Sequence, residues 1–235
     1  MNNDLTVVIQ AGGESKRMGK PKALVTFCGV PLVCRGLKRL GSIADQLIVT
    51  SNDRASLDFL CPDVTMDKLE LHSDIVDSRG ALTGIHTALH YAKHPYVAII
   101  ACDMIFPSAP LLLAEKNALA TSGADVAVPK THHGYEPFHA VYRRESCLPL
   151  VLRALDLGET RATSWFSQAK ILEFSPEMVS ESDPRGGSFV NVNTPEELER
   201  IEKRVMRGEM TKRGDEPLSV PSSDKQSFAC GYIRP

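Results

Sequence analysis

Residues 7–27 read VVIQAGGESKRMGKPKALVTF. A short run of β-branched apolar residues, Val7 to Ile9, passes directly into Ala11-Gly12-Gly13, and Arg17, Lys20 and Lys22 follow within ten residues. An apolar run of that length reads as a buried strand. The glycines after it remove the side chains that would keep a ligand away, so that successive backbone N–H groups can turn toward one point and form an anion nest. Three cations and a bare backbone together neutralise most of the charge of a triphosphate. A glycine turn followed by solvated basic residues would give the same letters, so the loop needs partners elsewhere in the chain. Two familiar phosphate loops are excluded. Five residues separate Gly13 from Gly19 where a P-loop has four, and Lys20 is followed by Pro21 in place of Ser or Thr. The dinucleotide pattern G-x-G-x-x-G is absent as well.

Outward from this loop, short apolar runs alternate with longer amphipathic ones, the pattern of a parallel sheet with crossover helices. Strands are expected at Leu5–Ile9, Gln46–Thr50, Tyr96–Ala101, Val126–Pro129 and His139–Tyr142, with shorter ones near Ile171–Phe174 and Ser188–Val190. Helices are expected at Pro31–Leu40, Ala55–Leu60, Ala81–Lys93, Pro107–Ser122, Cys147–Leu157, Arg161–Gln168 and Pro195–Arg207. Thr194-Pro195-Glu196-Glu197 is a strong helix start, because a threonine cap, a proline in the first turn and acids facing the dipole agree. One domain over residues 1–207 is expected. The charged, Pro- and Ser-containing stretch 208–235 has no periodicity and reads as a disordered tail or linker stub.

Composition narrows the function classes. Twenty-seven Lys and Arg nearly balance 29 Asp and Glu, so no global field gathers nucleic acid or an anionic membrane, and phosphate recognition has to be local. The apolar run ending at Gln10 is too short for a signal or spanning helix, which reads as a cytoplasmic protein. Six cysteines are scattered without a C-x-x-C pair, which reads as buried thiols in a reducing compartment. His86, His90 and His94 recur every four residues on one expected helix, a solvated or half-buried stripe without acid or Cys ligands at that spacing.

The segment Tyr96–Met104 is an apolar strand that ends in a carboxylate, Asp103. In open parallel sheets ligands bind beyond the carboxyl ends of strands, which places Asp103 on the rim that carries Gly12 and Gly13. A hard oxygen ligand there suits Mg²⁺, which takes one or two carboxylates and completes its shell with phosphate oxygens and water. A helix cap or an exposed strand-end acid would account for Asp103 alone.

AGG followed by ESKRMG and a Pro-Lys resembles the signature of the family of molybdenum cofactor guanylyltransferases and their cytidylyltransferase relatives. The Cys102-Asp103-Met104 context, the Asp74 to Gly84 segment, Pro137 to Arg144, Gly158-Glu159-Thr160-Arg161 and Asn191-Val192-Asn193-Thr194-Pro195-Glu196-Glu197-Leu198 also resemble that family, in order, over roughly residues 5–203. This chain has Ile105 where the family has a proline, Thr50 where some members have an Asn, and Glu136 where relatives show Gln or His.

The resemblance implies a three-layer, Rossmann-like nucleotidyltransferase fold with a mostly parallel central sheet. It also implies a reaction: transfer of GMP from GTP to molybdopterin or its molybdenum-loaded form, with pyrophosphate leaving. Gln10, Ala11, Gly12, Gly13 and Lys22 would line the nucleotide phosphates, and Arg17, Lys22 and Asp103 would be catalytic, with Mg²⁺ on Asp103. Asn52, Asp74 and Gly80 would address the base, since a carboxylate can accept both N–H donors of guanine's N1/N2 edge or a ribose hydroxyl. Asn191 and Asn193, on one side of an alternating strand, would meet metal, phosphate or pterin, and Arg161 a phosphate. Molybdoenzymes or their chaperones would take the product. Alternatives are a cytidylyl- or sugar-phosphate transferase of the same fold, or a non-catalytic nucleotide-binding adaptor that delivers cofactor.

Overall fold

In the computed structural model, which describes residues 3–12, 21–53, 55–57, 69–76, 80–184 and 186–207, the apolar runs become the middle of one sheet. Strand β1 (Leu5–Gln10) is buried along its first five residues, as a strand covered on both faces must be. It pairs in parallel with β4 (Gln46–Thr50) on one side and β6 (Tyr96–Ala101) on the other. Beyond β4 lies β5 (Leu69–His72), also parallel. Beyond β6 the antiparallel strand β9 (His139–Arg143) is followed by β7 (Val126–Thr131) and, parallel to β7, β10 (Ile171–Phe174). The order β10-β7-β9-β6-β1-β4-β5 makes the sheet mostly parallel, and β8 (Gly134–Tyr135) returns on β7 as a short hairpin. A separate hairpin, β2 (Thr26–Phe27) and β3 (Val30–Pro31), turns through Cys28 and Gly29, both at positive φ.

Period two decides which helix covers which face. Val7, Ile9, Leu47, Val49, Ala98 and Ile100 pack in one core with α1 (Leu32–Leu40) and α3 (Ala109–Ser122). Their neighbours Val8, Ile48, Val97 and Ile99 face α2 (Ala81–Tyr91) and α4 (Arg144–Asp156). These are the three layers expected. Two shorter elements complete the chain, α5 (Pro176–Ser182) and α6 (Pro195–Met206). Thr194 caps α6 as expected, its hydroxyl accepting the Glu197 N–H while the Glu197 carboxylate accepts the Asn193 N–H. Such a cap stabilises its helix by about 1 kcal/mol. No helix among the described residues is long and apolar enough to cross a membrane.

Three expectations are corrected and one alternative is removed. Ser188–Val190 is no strand: two glycines at positive φ precede it, and only one bridge, Met104 to Asn191, follows. Arg161–Gln168 is a series of turns with a single 3-10 turn at Phe166–Gln168, because burying Ala162, Trp165 and Phe166 needs no longer helix. The three-histidine stripe is cut to two: His86, buried, and His90, exposed, sit with ring centroids 6.0 Å apart on α2, and His94 lies beyond its end. The cap of the helix after Pro107 is Ser108, so Asp103 is free of that duty. Of the Ala55–Leu60 helix only a 3-10 turn at Ala55–Leu57 falls within the described residues, and 208–235 lies outside them.

Candidate active site

The chain leaves β1 for β4 and β5 on one side and then crosses to β6 on the other. The crevice beyond the carboxyl ends of β1 and β6 is therefore the switch point where open α/β sheets bind ligands. Thr50, Gln10 and Ala101 are partners across β4, β1 and β6. Two interstrand steps of roughly 4.8 Å separate the outer pair, so the rim spans about 10 Å before side chains are added. The backbone stays paired just past the strands: Ala11 N–H donates to Thr50 O at 2.8 Å and Cys102 N–H to Gln10 O at 3.0 Å. The Ala11 N–H is thus taken up by the sheet and is no part of an anion nest. Gly12 is exposed, with nothing within 4 Å of a Cβ placed there. Gly13, Arg17 and Lys20 lie outside the described residues.

At the β6 end three side chains that the sequence scatters meet. The Lys22 ammonium donates to Asp103 Oδ2 at 2.5 Å and to Asn193 Oδ1 at 2.8 Å. The other Asp103 oxygen, Oδ1, is buried and has no hydrogen-bond partner. A buried carboxylate oxygen without a donor is costly unless a ligand completes it. The loop that carries Asp103 is held on several sides. Ile105 N–H donates to Val190 O at 3.1 Å, a bond that a proline at 105 would lack, and Val192 N–H donates to Asp103 O at 3.2 Å. Arg35 and Arg39 reach across from α1 to Ile105 O at 2.9 Å and Pro107 O at 3.1 Å. The Arg35 guanidinium also lies 4.9 Å from the centroid of the Phe27 ring and 5.3 Å from that of Phe106. Beneath the loop, Val25, Phe27, Leu32, Ile105, Phe106, Val192, Ile201 and Val205 form a third core that joins the hairpin, the loop and α6. Burial pushes the Cys102 thiol up to about 12, so it is no thiolate nucleophile beside Asp103.

The β4 end is built differently. Asn52 and Asp74 grip each other reciprocally: the Asn52 amide donates to Asp74 Oδ2 at 2.9 Å, and the Asp74 N–H donates to Asn52 Oδ1 at 2.9 Å. Both bonds are exposed. Gly80 packs against the 158–161 loop, and a Cβ on it would stand 2.9 Å from Thr160 Cβ. Between the two ends, the Gln10 amide lies over α2. A Cβ on Gly84 would come within 2.7 Å of Gln10 Oε1, so the glycine makes room for Gln10. Gln10 Nε2 is a second buried polar atom without a partner.

Of the residues picked from sequence, the structure brings Lys22, Asp103 and Asn193 into contact and pairs Asn52 with Asp74. Asn191 and Asn193 lie outside any named strand. The Asn191 backbone bridges to Met104 and its side chain is exposed. Arg161 is exposed on the loop against Gly80. Arg35 and Arg39 were not singled out; basic residues at i and i+4 flanking the buried stripe of α1 are the one signal for them.

An exposed glycine after β1, a lysine and an asparagine on the aspartate that follows β6, and a polar pair beyond β4, two strands away, fit a nucleotidyltransferase. A family model described as the MobA-like NTP transferase domain matches residues 7–172, and the chain belongs to that family. It is 35% identical over 207 residues to a probable molybdenum cofactor guanylyltransferase of Natronomonas pharaonis, covering 85% of this chain and 98% of that one. A molybdenum cofactor guanylyltransferase of Desulfosudis oleivorans is 32% identical over 208 residues, covering 88% and 98%. Among solved structures, the molybdopterin-guanine dinucleotide biosynthesis protein A of Archaeoglobus fulgidus superposes with a TM-score of 0.72 at 25% identity, covering 86% of this chain and 99% of that one.

Proposed function

We propose that this chain transfers GMP from GTP to the terminal phosphate of molybdopterin, or of its molybdenum-loaded form, in the cytoplasm. An oxygen of that phosphate attacks the α-phosphorus, the bond from the α-phosphorus to its bridging oxygen breaks, and pyrophosphate leaves with the electron pair. The nucleophile is already ionised at neutral pH, so no general base is required, and the work is positioning and charge neutralisation. The observation that carries the reading is the Lys22–Asp103–Asn193 contact at the switch point, one strand from Gly12 and two from the Asn52–Asp74 pair.

Lys22 holds one oxygen of Asp103 and supplies a cation to the phosphates; Arg17 would supply a second. Asp74, oriented by Asn52, is the acceptor for the donor edge of guanine. Asp103 fits Mg²⁺, because its Oδ1 is buried and unpartnered and a single carboxylate with phosphate oxygens is an ordinary Mg²⁺ donor set. Bound there, the metal would supply Lewis-acid neutralisation of phosphate oxygens. Among the described residues no cluster of three His, Cys, Asp or Glu offers a competing site. Molybdoenzymes or their chaperones would receive the product.

The test is pyrophosphate release from purified protein given Mg²⁺, molybdopterin and each of the four nucleoside triphosphates in turn. Release with GTP alone is expected. Release with CTP assigns the chain to cytidylyl transfer, and nucleotide binding without release assigns it to cofactor delivery.

A further inference from the structure

The interior next to the Asp103 loop holds two ionisable side chains for which the transfer reaction has no direct use. His139 opens β9 and Glu115 lies midway along α3; both side chains are fully buried, with His139 Nδ1 3.6 Å from Glu115 Oε1. On its other side the ring accepts the Ser108 N–H at Nε2, at 3.2 Å. An amide N–H can only donate, so Nε2 carries the lone pair and the ring proton sits on Nδ1, facing Glu115. Burial holds the His139 imidazole down at about 4 and pushes the Glu115 carboxyl well above its usual range, so burial favours the neutral form of each.

Two structural links run from this ring to the site. Ser108 caps α3 and closes the loop that begins at Asp103. The ring edge also meets Phe189, with centroids 5.5 Å apart and planes at 82°. Phe189 opens the segment whose Val190 O and Val192 N–H pair with that same loop and whose Asn193 reaches Lys22. We propose that His139 is a positioning residue for nucleotidyl transfer: through Ser108 and Phe189 its neutral ring fixes the Asp103 loop against the Asn193 segment. Its kinetic part rests on the function proposed above; its structural part does not. A leucine at 139 would fill the volume but leave the buried Ser108 N–H without an acceptor, whereas a glutamine places an amide oxygen near the position of Nε2.

The experiment combines a spectrum, amide exchange and kinetics. In the unmodified protein, ¹⁵N resonances at neutral pH are expected to show His139 protonated at Nδ1 and bare at Nε2; an Nε2–H tautomer or an imidazolium overturns the proposal. In His139→Leu, exchange of the Ser108 amide is expected to accelerate and kcat to fall by about tenfold to a hundredfold, the scale of a slightly misplaced catalytic group. KM for GTP should stay within about twofold. His139→Gln is expected to restore both protection and most of kcat. Unchanged kcat in His139→Leu, or equal losses in the two variants with Ser108 still protected, overturns it. Should His139→Leu not fold, the tautomer and the near-normal kcat of His139→Gln decide. Should no nucleotide yield pyrophosphate, the functional reading fails, and the spectrum and the Ser108 exchange still support or overturn the structural link.

Discussion

The two ends of the rim carry the same kinds of polar groups but are built to different standards of rigidity. At the Asp103 end the loop backbone is held by β1, α1, β9 and the 190–193 segment, over a core of its own. At the Asn52–Asp74 end the holds among the described residues are the reciprocal exposed pair, Ser51 N–H donating to His72 O, Asp53 N–H to Ser51 Oγ and Ile75 N–H to Thr87 Oγ1, with no core cluster of its own beneath them. The difference fits the division of labour proposed for the two ends. Displacement at phosphorus loses rate steeply when a charged group is misplaced by a fraction of an ångström, whereas selecting a base requires only that matched donors and acceptors meet.

The sharpest way to break this contrast is Asp103→Ala. Pyrophosphate release should fall by at least about 10³-fold, while the thermal midpoint stays close to that of the parent; retained turnover would remove Asp103 from the chemistry. Asp74→Asn should act on the other term. KM for GTP should rise by about tenfold to a hundredfold, the worth of a charged hydrogen bond, with kcat nearly constant and discrimination against other nucleotides reduced. A fall in kcat alone would mean that the two ends are not separable. Arg35→Met removes a bond to Ile105 O and a cation from two rings, so denaturant melts should show a loss of about 1–3 kcal/mol. A smaller drop in kcat should accompany it.

The smallest effect is a pH slope. Glu115 stays protonated in the fold at pH values where the unfolded chain has ionised it, so its contribution to stability declines as pH rises above the ordinary carboxyl range. His139 has the opposite sign. Its folded value of about 4 lies below the unfolded value of roughly 6.5, so stability is lost as pH falls through that window. Glu115→Gln should therefore gain stability over the parent as pH is raised through and above the ordinary carboxyl range. A constant difference between the two melting curves would show that Glu115 is ionised in the fold.

How legible each part was in the sequence follows from how local its cause is. β4 and β6 lie where their apolar runs placed them, because a strand covered on both faces needs little but β-branched residues, and β10 lies where expected although it is an edge strand with one buried residue. Leu69–His72 escaped notice because it is an edge strand with alternating charge, and Pro176–Ser182 because none of its residues is buried. Asp103 and Lys22 could be picked by residue type and strand position, and Asn193 from its resemblance to a family motif. The reverse holds for His139, whose partner Ser108 is 31 positions away and whose role depends on a backbone N–H that no side-chain pattern records.

The third core ties Val25 to Val205, and the Lys22–Asn193 bond closes a span of 171 positions. As the chain leaves the ribosome, the central strands can pair long before α6 exists to complete that closure. A nascent chain, or one clipped ahead of α6, would thus hold its sheet without a finished site. Closure of the Lys22–Asn193 contact waits on the segment from Asn193 through α6.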